Sequence, residues 1–172
     1  MKKKLSVLLI TALLISVTST LPSQAGILAA QKARIEQNRI NKSTYNDIKK
    51  VIDQQEIYTN KYDLKGLATL YANDFVNSDG FNKDVYFKLI EETWKTYPDI
   101  TYKTVIKNIE FSDNYATVFT NETAVATSKE EIGDLTAIGE LYSTSQCVYY
   151  LEKQGAKWLI NSEKIIEETY IL

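Results

Sequence analysis

The chain has no histidine, a single cysteine and twelve tyrosines, and this restricts its chemistry before any fold is considered. Without imidazole there is no histidine general base, and the usual ligands of zinc and non-haem iron sites are missing. Cys147 sits in an alternating apolar segment with no histidine to activate it and no second cysteine to pair with. It reads as a small buried hydrophobe that can line a pocket. Glu122 is the one acid on the Ala116–Ala124 face of an alternating segment. It either enters a pocket or emerges at its rim, where Lys164 can pair with it. Tyr58, Tyr62, Tyr71, Tyr86 and Tyr97 carry hydroxyl tips on apolar bodies, which suits either a core or a binding cavity. Glu130, Glu131 and Asp134 lack the spacing of a calcium loop and read as a solvated turn. No glycine-rich phosphate loop or serine elbow occurs. Neither a metal nor a cofactor is expected.

These side chains have to be positioned by two different kinds of element. Ser43 or Thr44 can cap a helix whose inward stripe is Ile48, Val51, Ile52, Gln55, Tyr58 and Tyr62. Asp63 caps a second, short helix bearing Leu64, Leu67, Leu70 and Tyr71. A short strand and bend through Phe75 to Gly80 follow, and then a third helix from Asn82 carries Val85, Tyr86, Leu89, Ile90 and Trp94 before Tyr97-Pro98 stops it. From Ile100 the period changes to two. Strands are predicted over residues 100–111, with a bulge near Ile106–Asn108, then over 115–127, 138–151 and 157–169. The turns fall at Ser112-Asp113-Asn114 and Gln154-Gly155, with a polar loop over 128–134. Three helices followed by four long strands predict an α+β domain, a curved sheet wrapped around the helices to form a cone. The pocket between helices and sheet would be lined by Gln55, Tyr58, Tyr62, Tyr71, Trp94, Tyr97, Glu122, Cys147 and Trp158.

The start of the chain reads as an address. Lys2, Lys3 and Lys4 precede the apolar stretch Leu5–Val17, and Pro22-Ser23-Gln24-Ala25 offers a cleavage site after Ala25. The apolar stretch is short beside the ~20 residues a spanning helix needs, so a cleavable signal peptide over 1–25 is expected, with an uncleaved anchor as the rival. The product would be secreted or periplasmic, without a stable membrane anchor. Residues 26–42 form a basic polar linker or frayed helix, and 43–172 form the domain. Between Gly26 and Lys50 six basic residues face two acidic ones, whereas from Val51 onward 11 basic residues face 20 acidic. An acidic domain argues against nucleic acid as a partner.

The run Asn60–Phe75, NKYDLKGLATLYANDF, resembles the D-x-x-G-L-x-x-L-(Y/F)-A-x-D pattern of the nuclear transport factor 2-like superfamily, in its small SnoaL-like and ketosteroid-isomerase-like branch. Gly155-Ala156-Lys157-Trp158-Leu159-Ile160 is similar to the last hairpin of that group. The resemblance implies a cystatin-like α+β roll with a site between helices and sheet. Carried across without a gap, it places Asp79 at the isomerase general base and Gln55 at its oxyanion-stabilising tyrosine, with no second acid where Ser145 and Gln146 stand. Asp79 is also a good turn residue before Gly80. Three functions follow: a non-catalytic binder of a small apolar or aromatic ligand, a cofactor-independent isomerase or lyase using Asp79, and an interaction module. The last would be a homodimer through the convex sheet face, where Phe119, Val125, Tyr142, Val148 and Tyr150 make an apolar patch.

Overall fold

The structure is a computed structural model that describes residues 24–132 and 135–171. The expected signal peptide lies outside these residues except for Gln24 and Ala25. The described residues divide into two units, one ending at Asn38 and the other starting at Arg39. In the first, the described residues are helical, and those from 28 to 38 are exposed.

Helix α1 runs from Gln24 to Asn60, so Ser43 and Thr44 are interior positions rather than the expected helix start. The cause is local: Ala29, Ala30, Gln31, Lys32, Ala33 and Arg34 are strong helix formers, and no proline or glycine intervenes between them and Ser43. In the second unit α1 buries Ile48, Val51, Ile52 and Gln55, at spacings of three and four. Helix α2 (Leu64–Ala68) starts at Asp63, whose side chain accepts from the Gly66 N–H at 2.8 Å. A Cβ on Gly66 would collide with Asp63 Oδ2 and lie 2.8 Å from the Tyr58 ring. The D-x-x-G spacing is therefore a helix cap packed under an aromatic ring. Helix α3 (Lys83–Thr96) is capped by Asn82, which accepts from the Val85 N–H, and it ends at Tyr97.

Four antiparallel strands follow in the order β1-β2-β3-β4: β1 Thr101–Phe111, β2 Tyr115–Ile132, β3 Leu135–Gln154 and β4 Lys157–Ile171. The sheet is curved and unclosed, an α+β roll. The bulge expected near Ile106–Asn108 is present. The loop expected over 128–134 is not: β2 and β3 pair out to Ile132 and Leu135. Register in a long hairpin is carried outward from its paired base. Residues 133 and 134 lie outside the described residues.

Both edges of the sheet are used. On β1, the Asn60 side chain accepts from the Tyr102 N–H and donates to the Tyr102 carbonyl, both at 2.7 Å, and Glu56 accepts from the Thr104 N–H at 2.7 Å. On β4, the segment after α2 runs alongside, with Ala72 N–H donating to the Ile160 carbonyl and Ser78 N–H to that of Glu163. The core gathers Ile48, Ile52, Leu67, Phe75, Val118, Leu151 and Ile160, each almost fully buried.

Candidate functional site

The helix-facing side of β2 starts apolar at Ala116 and Val118 and turns polar at Thr120 and Glu122, all four buried. Its partner β3 changes in step, since Leu151 opposes Ala116, Tyr149 opposes Val118, Cys147 opposes Thr120 and Ser145 opposes Glu122. On α1 the stripe Ile48, Val51, Ile52 ends in Gln55. Where the three elements turn polar together, a cavity of about 580 Å³ opens, lined also by Leu67, Ile90, Trp94, Tyr102 and Ile165. Exposed Asp79, Phe81, Leu89, Lys164, Glu168 and Tyr170 contribute to its lining.

Two carboxylates organise the interior. Tyr149 donates to Glu122 Oε1 at 2.6 Å, and Thr120 Oγ1 donates to the same oxygen at 3.0 Å. Tyr71 donates to Glu163 Oε2 at 3.5 Å. Gln55 links the two, its Nε2 donating to Tyr71 Oη at 3.0 Å and to Tyr149 Oη at 3.1 Å. With the Tyr149 proton directed at Glu122, the 3.5 Å contact between Tyr102 and Tyr149 has Tyr102 as donor. Gln55 Oε1, on a residue only 5% exposed, has no partner.

The electrostatics follow from enclosure. Removal from water raises the Glu163 carboxyl from 4.5 to about 7; hydrogen bonding from Tyr86 opposes the rise, the Glu122 charge adds to it, Tyr71 opposes it and Asp79 adds. The hydroxyls of Tyr71, Tyr86, Tyr102 and Tyr149 are all pushed well above the usual phenol value, by burial first. They remain protonated donors at any physiological pH. Burial, with the Glu122 charge beside it, pushes the Cys147 thiol up to about 12, so it is no nucleophile at neutral pH.

Of the residues singled out from the sequence, Gln55, Tyr71, Asp79, Trp94, Glu122 and Cys147 line the cavity. Four do not. Trp158 is buried in the core, and Tyr58 packs against that core beside Gly66. Tyr62, in left-handed backbone (φ 56°), sets its ring edge-on to Trp94 and donates to the Ile100 carbonyl, while Tyr97 ends α3. Tyr58 and Tyr62 continue the spacing of the α1 stripe, but past Gln55 it is Thr59 that α1 turns toward the cavity. Asp79 stands in an exposed turn, its N–H donating to Asn77 Oδ1 at 3.1 Å, with Gly80 at φ 83°. Glu122 is bonded to Tyr149 and Thr120 rather than to Lys164.

Glu163 escaped the sequence reading for an identifiable reason. Trp158 and Ile160 face inward, so strict alternation puts Ser162 and Lys164 inward and Glu163 outward. A register shift between Tyr150 and Leu151 leaves Asn161 unpaired and brings Glu163 opposite Tyr149. One extra residue flips every following side chain to the other face. A second shift, between Gln146 and Cys147, follows on the same strand. On the outer face Tyr142 and Tyr150 are exposed, Phe119 and Val125 are half-buried and Val148 is buried. The patch is thus smaller than the sequence implied.

No family model matches the chain, and no curated protein matches it in sequence. Solved structures do resemble it. A scytalone dehydratase-like protein of Novosphingobium aromaticivorans aligns at TM-score 0.64 with 16% identity, over 77% of this chain and 90% of that one. A hexachlorocyclohexane dehydrochlorinase (LinA) type 2 aligns at 0.61 with 12% identity, over 80% and 93%. A protein of Nostoc punctiforme with a cystatin-like fold aligns at 0.55 with 14% identity, over 70% and 88%. At such identities the likeness establishes architecture, that of a cystatin-like α+β roll, and leaves function to the side chains.

Proposed function

We propose that this nuclear transport factor 2-like domain is an exported small-molecule binder whose ligand sits between the helices and the sheet and leaves unchanged. The observation that carries this reading is the cavity of about 580 Å³, which has an apolar wall and a convergent set of polar atoms from α1, β2, β3 and β4. That is the usual make-up of a ligand site. The donor bookkeeping supports binding without reaction. Both Gln55 Nε2 hydrogens go to Tyr71 and Tyr149, and the tyrosine hydroxyls are directed at one another or at Glu122 and Glu163. An enolising enzyme needs preorganised donors aimed at a developing oxyanion, and here those donors are already engaged.

A second reading, a cofactor-independent isomerase or lyase, is favoured by Glu163. A carboxyl near pH 7 in a partly apolar cavity is poised for proton transfer. In this reading Glu163 takes the proton-transfer role given above to Asp79, and Asp79 modulates it from the rim. A homodimer through Tyr142 and Tyr150 is compatible with either reading; sedimentation of Tyr150→Glu against the parent tests it, since equal monomer masses for both would remove the dimer.

Saturation-transfer NMR with a panel of neutral, cationic and anionic aromatic fragments tests the binding reading. Fragments should bind the parent domain, and Ala124→Phe or Ser145→Phe, which fill the cavity from β2 or β3, should abolish binding while leaving the urea midpoint close to that of the parent. A parent that binds none of the panel contradicts it.

A further inference from the structure

We propose that the ligand of this cavity is an organic cation, a primary or secondary ammonium group carried on an apolar or aromatic body. The proposal deepens the binding reading above and rests on it. Four carboxylates, Asp79, Glu122, Glu163 and Glu168, line the cavity against one ammonium, that of Lys164. A guest carrying negative charge would meet like charges, of which Glu122 and Glu163 are withdrawn from the solvent that would screen them.

An independent observation points the same way. Gln55 is 5% exposed and lines the cavity, and its Oε1 has no donor. An orphaned buried acceptor costs about 1–3 kcal/mol, and what it lacks is an N–H or O–H. The tyrosine protons cannot supply it, because they are directed at Glu122, Glu163 and Tyr149. The cavity therefore offers acceptors on α1, β2 and β4, and the tyrosines at its inner end have no proton left to donate. A primary or secondary ammonium has two or three N–H groups and a positive charge, which match the Gln55 oxygen and the two carboxylates together.

The walls fit the rest of such a molecule. Trp94, Tyr86 and Tyr102 present aromatic surface to the cavity, and an aromatic face attracts a cation as well as an apolar body. A metal ion is a poorer occupant, since among the described residues no three histidine, cysteine, aspartate or glutamate side chains group closely enough to hold one.

Isothermal titration at pH 7.5 with three molecules of one shape, 2-phenylethylammonium, 2-phenylethanol and 3-phenylpropanoate, tests this. The cation should bind about ten-fold or more tightly than the alcohol, and the acid should be the weakest, as charge-assisted hydrogen bonds are roughly twice as strong as neutral ones. Glu122→Gln and Glu163→Gln should each weaken the cation about five-fold or more and weaken the alcohol by less. Both variants keep side-chain shape, and either alone suffices if the other fails to fold. Alcohol binding as tight as that of the cation, with both lost in Ala124→Phe, overturns the cation and leaves the binding cavity standing. Tighter binding of the acid likewise overturns it. Loss of all three binders in the parent overturns the cavity reading itself, and this proposal with it.

Discussion

Two ends of the same helix–sheet interface are built from the same strands and behave differently. At one end Ile48, Ile52, Phe75, Val118, Leu151 and Ile160 close against one another with almost no exposure. At the other, only a few residues along α1, β2 and β3, Gln55, Glu122, Tyr149 and Glu163 surround open space. The apolar end obtains its stability from close packing, in which each missing methylene is felt. The polar end keeps its carboxylates by hydrogen bonding them, at a cost in desolvation that the packed end has to offset. The difference shows that one end is optimised for the fold, while the other retains groups that folding alone would have removed.

Substitutions separate the two ends, and the largest effect belongs to the packed one. Phe75→Ala should lower stability by about 3–5 kcal/mol, read from urea unfolding, because Phe75 is 1% exposed and sits edge-on to Tyr71. A loss under about 1 kcal/mol would show that this end is not the anchor.

Glu163→Gln should instead stabilise, and only on one side of a pH window. The folded carboxyl titrates at about 7 against an ordinary 4.5, so the folded state holds a proton that the unfolded chain has already released. The contribution of Glu163 to wild-type stability is therefore most favourable below 4.5, falls as pH rises toward 7 and levels off above it. The glutamine variant lacks this loss. Its advantage over wild type should grow between pH 4 and pH 8 by on the order of 1–3 kcal/mol, and a difference independent of pH would place Glu163 in water.

Tyr149→Phe should cost about 1–2 kcal/mol, as it removes the 2.6 Å donor to Glu122 and an acceptor of Gln55. A neutral result would mean that water replaces the hydroxyl and that this end is wetter than described. Smallest in energy, native Cys147 should alkylate with iodoacetamide far more slowly than the urea-unfolded chain at pH 8, because burial holds its thiol near 12. Equal rates would mean that the cavity wall opens.

The packed end was far more legible in the sequence than the polar one. Helix caps at Asp63 and Asn82, the stop at Tyr97, the bulge near Ile106–Asn108 and the inward face of β2 all come from local chemistry and period. Gln55, Tyr71 and Glu122 could be named because a polar residue on an apolar face stands out. Glu163 could not be, because a bulge at Asn161 reverses the alternation that would have located it. Nor could Tyr102 and Tyr149, since the sequence shows which strand faces the helices but not where along the strand packing gives way to space. The long β2–β3 hairpin was shortened in the sequence reading for a similar reason: Glu130 and Glu131 are polar, yet pairing carries through them.

The most direct test of a ligand site at the polar end is to map where a small cationic probe lands. Chemical-shift changes on titrating the isotopically labelled domain with 2-phenylethylammonium should concentrate at Gln55, Trp94, Glu122, Cys147, Tyr149 and Glu163 and spare Ile48, Val118 and Ile160. Shifts centred on Tyr142 and Tyr150 of the outer face, or no shifts at millimolar probe, would contradict it.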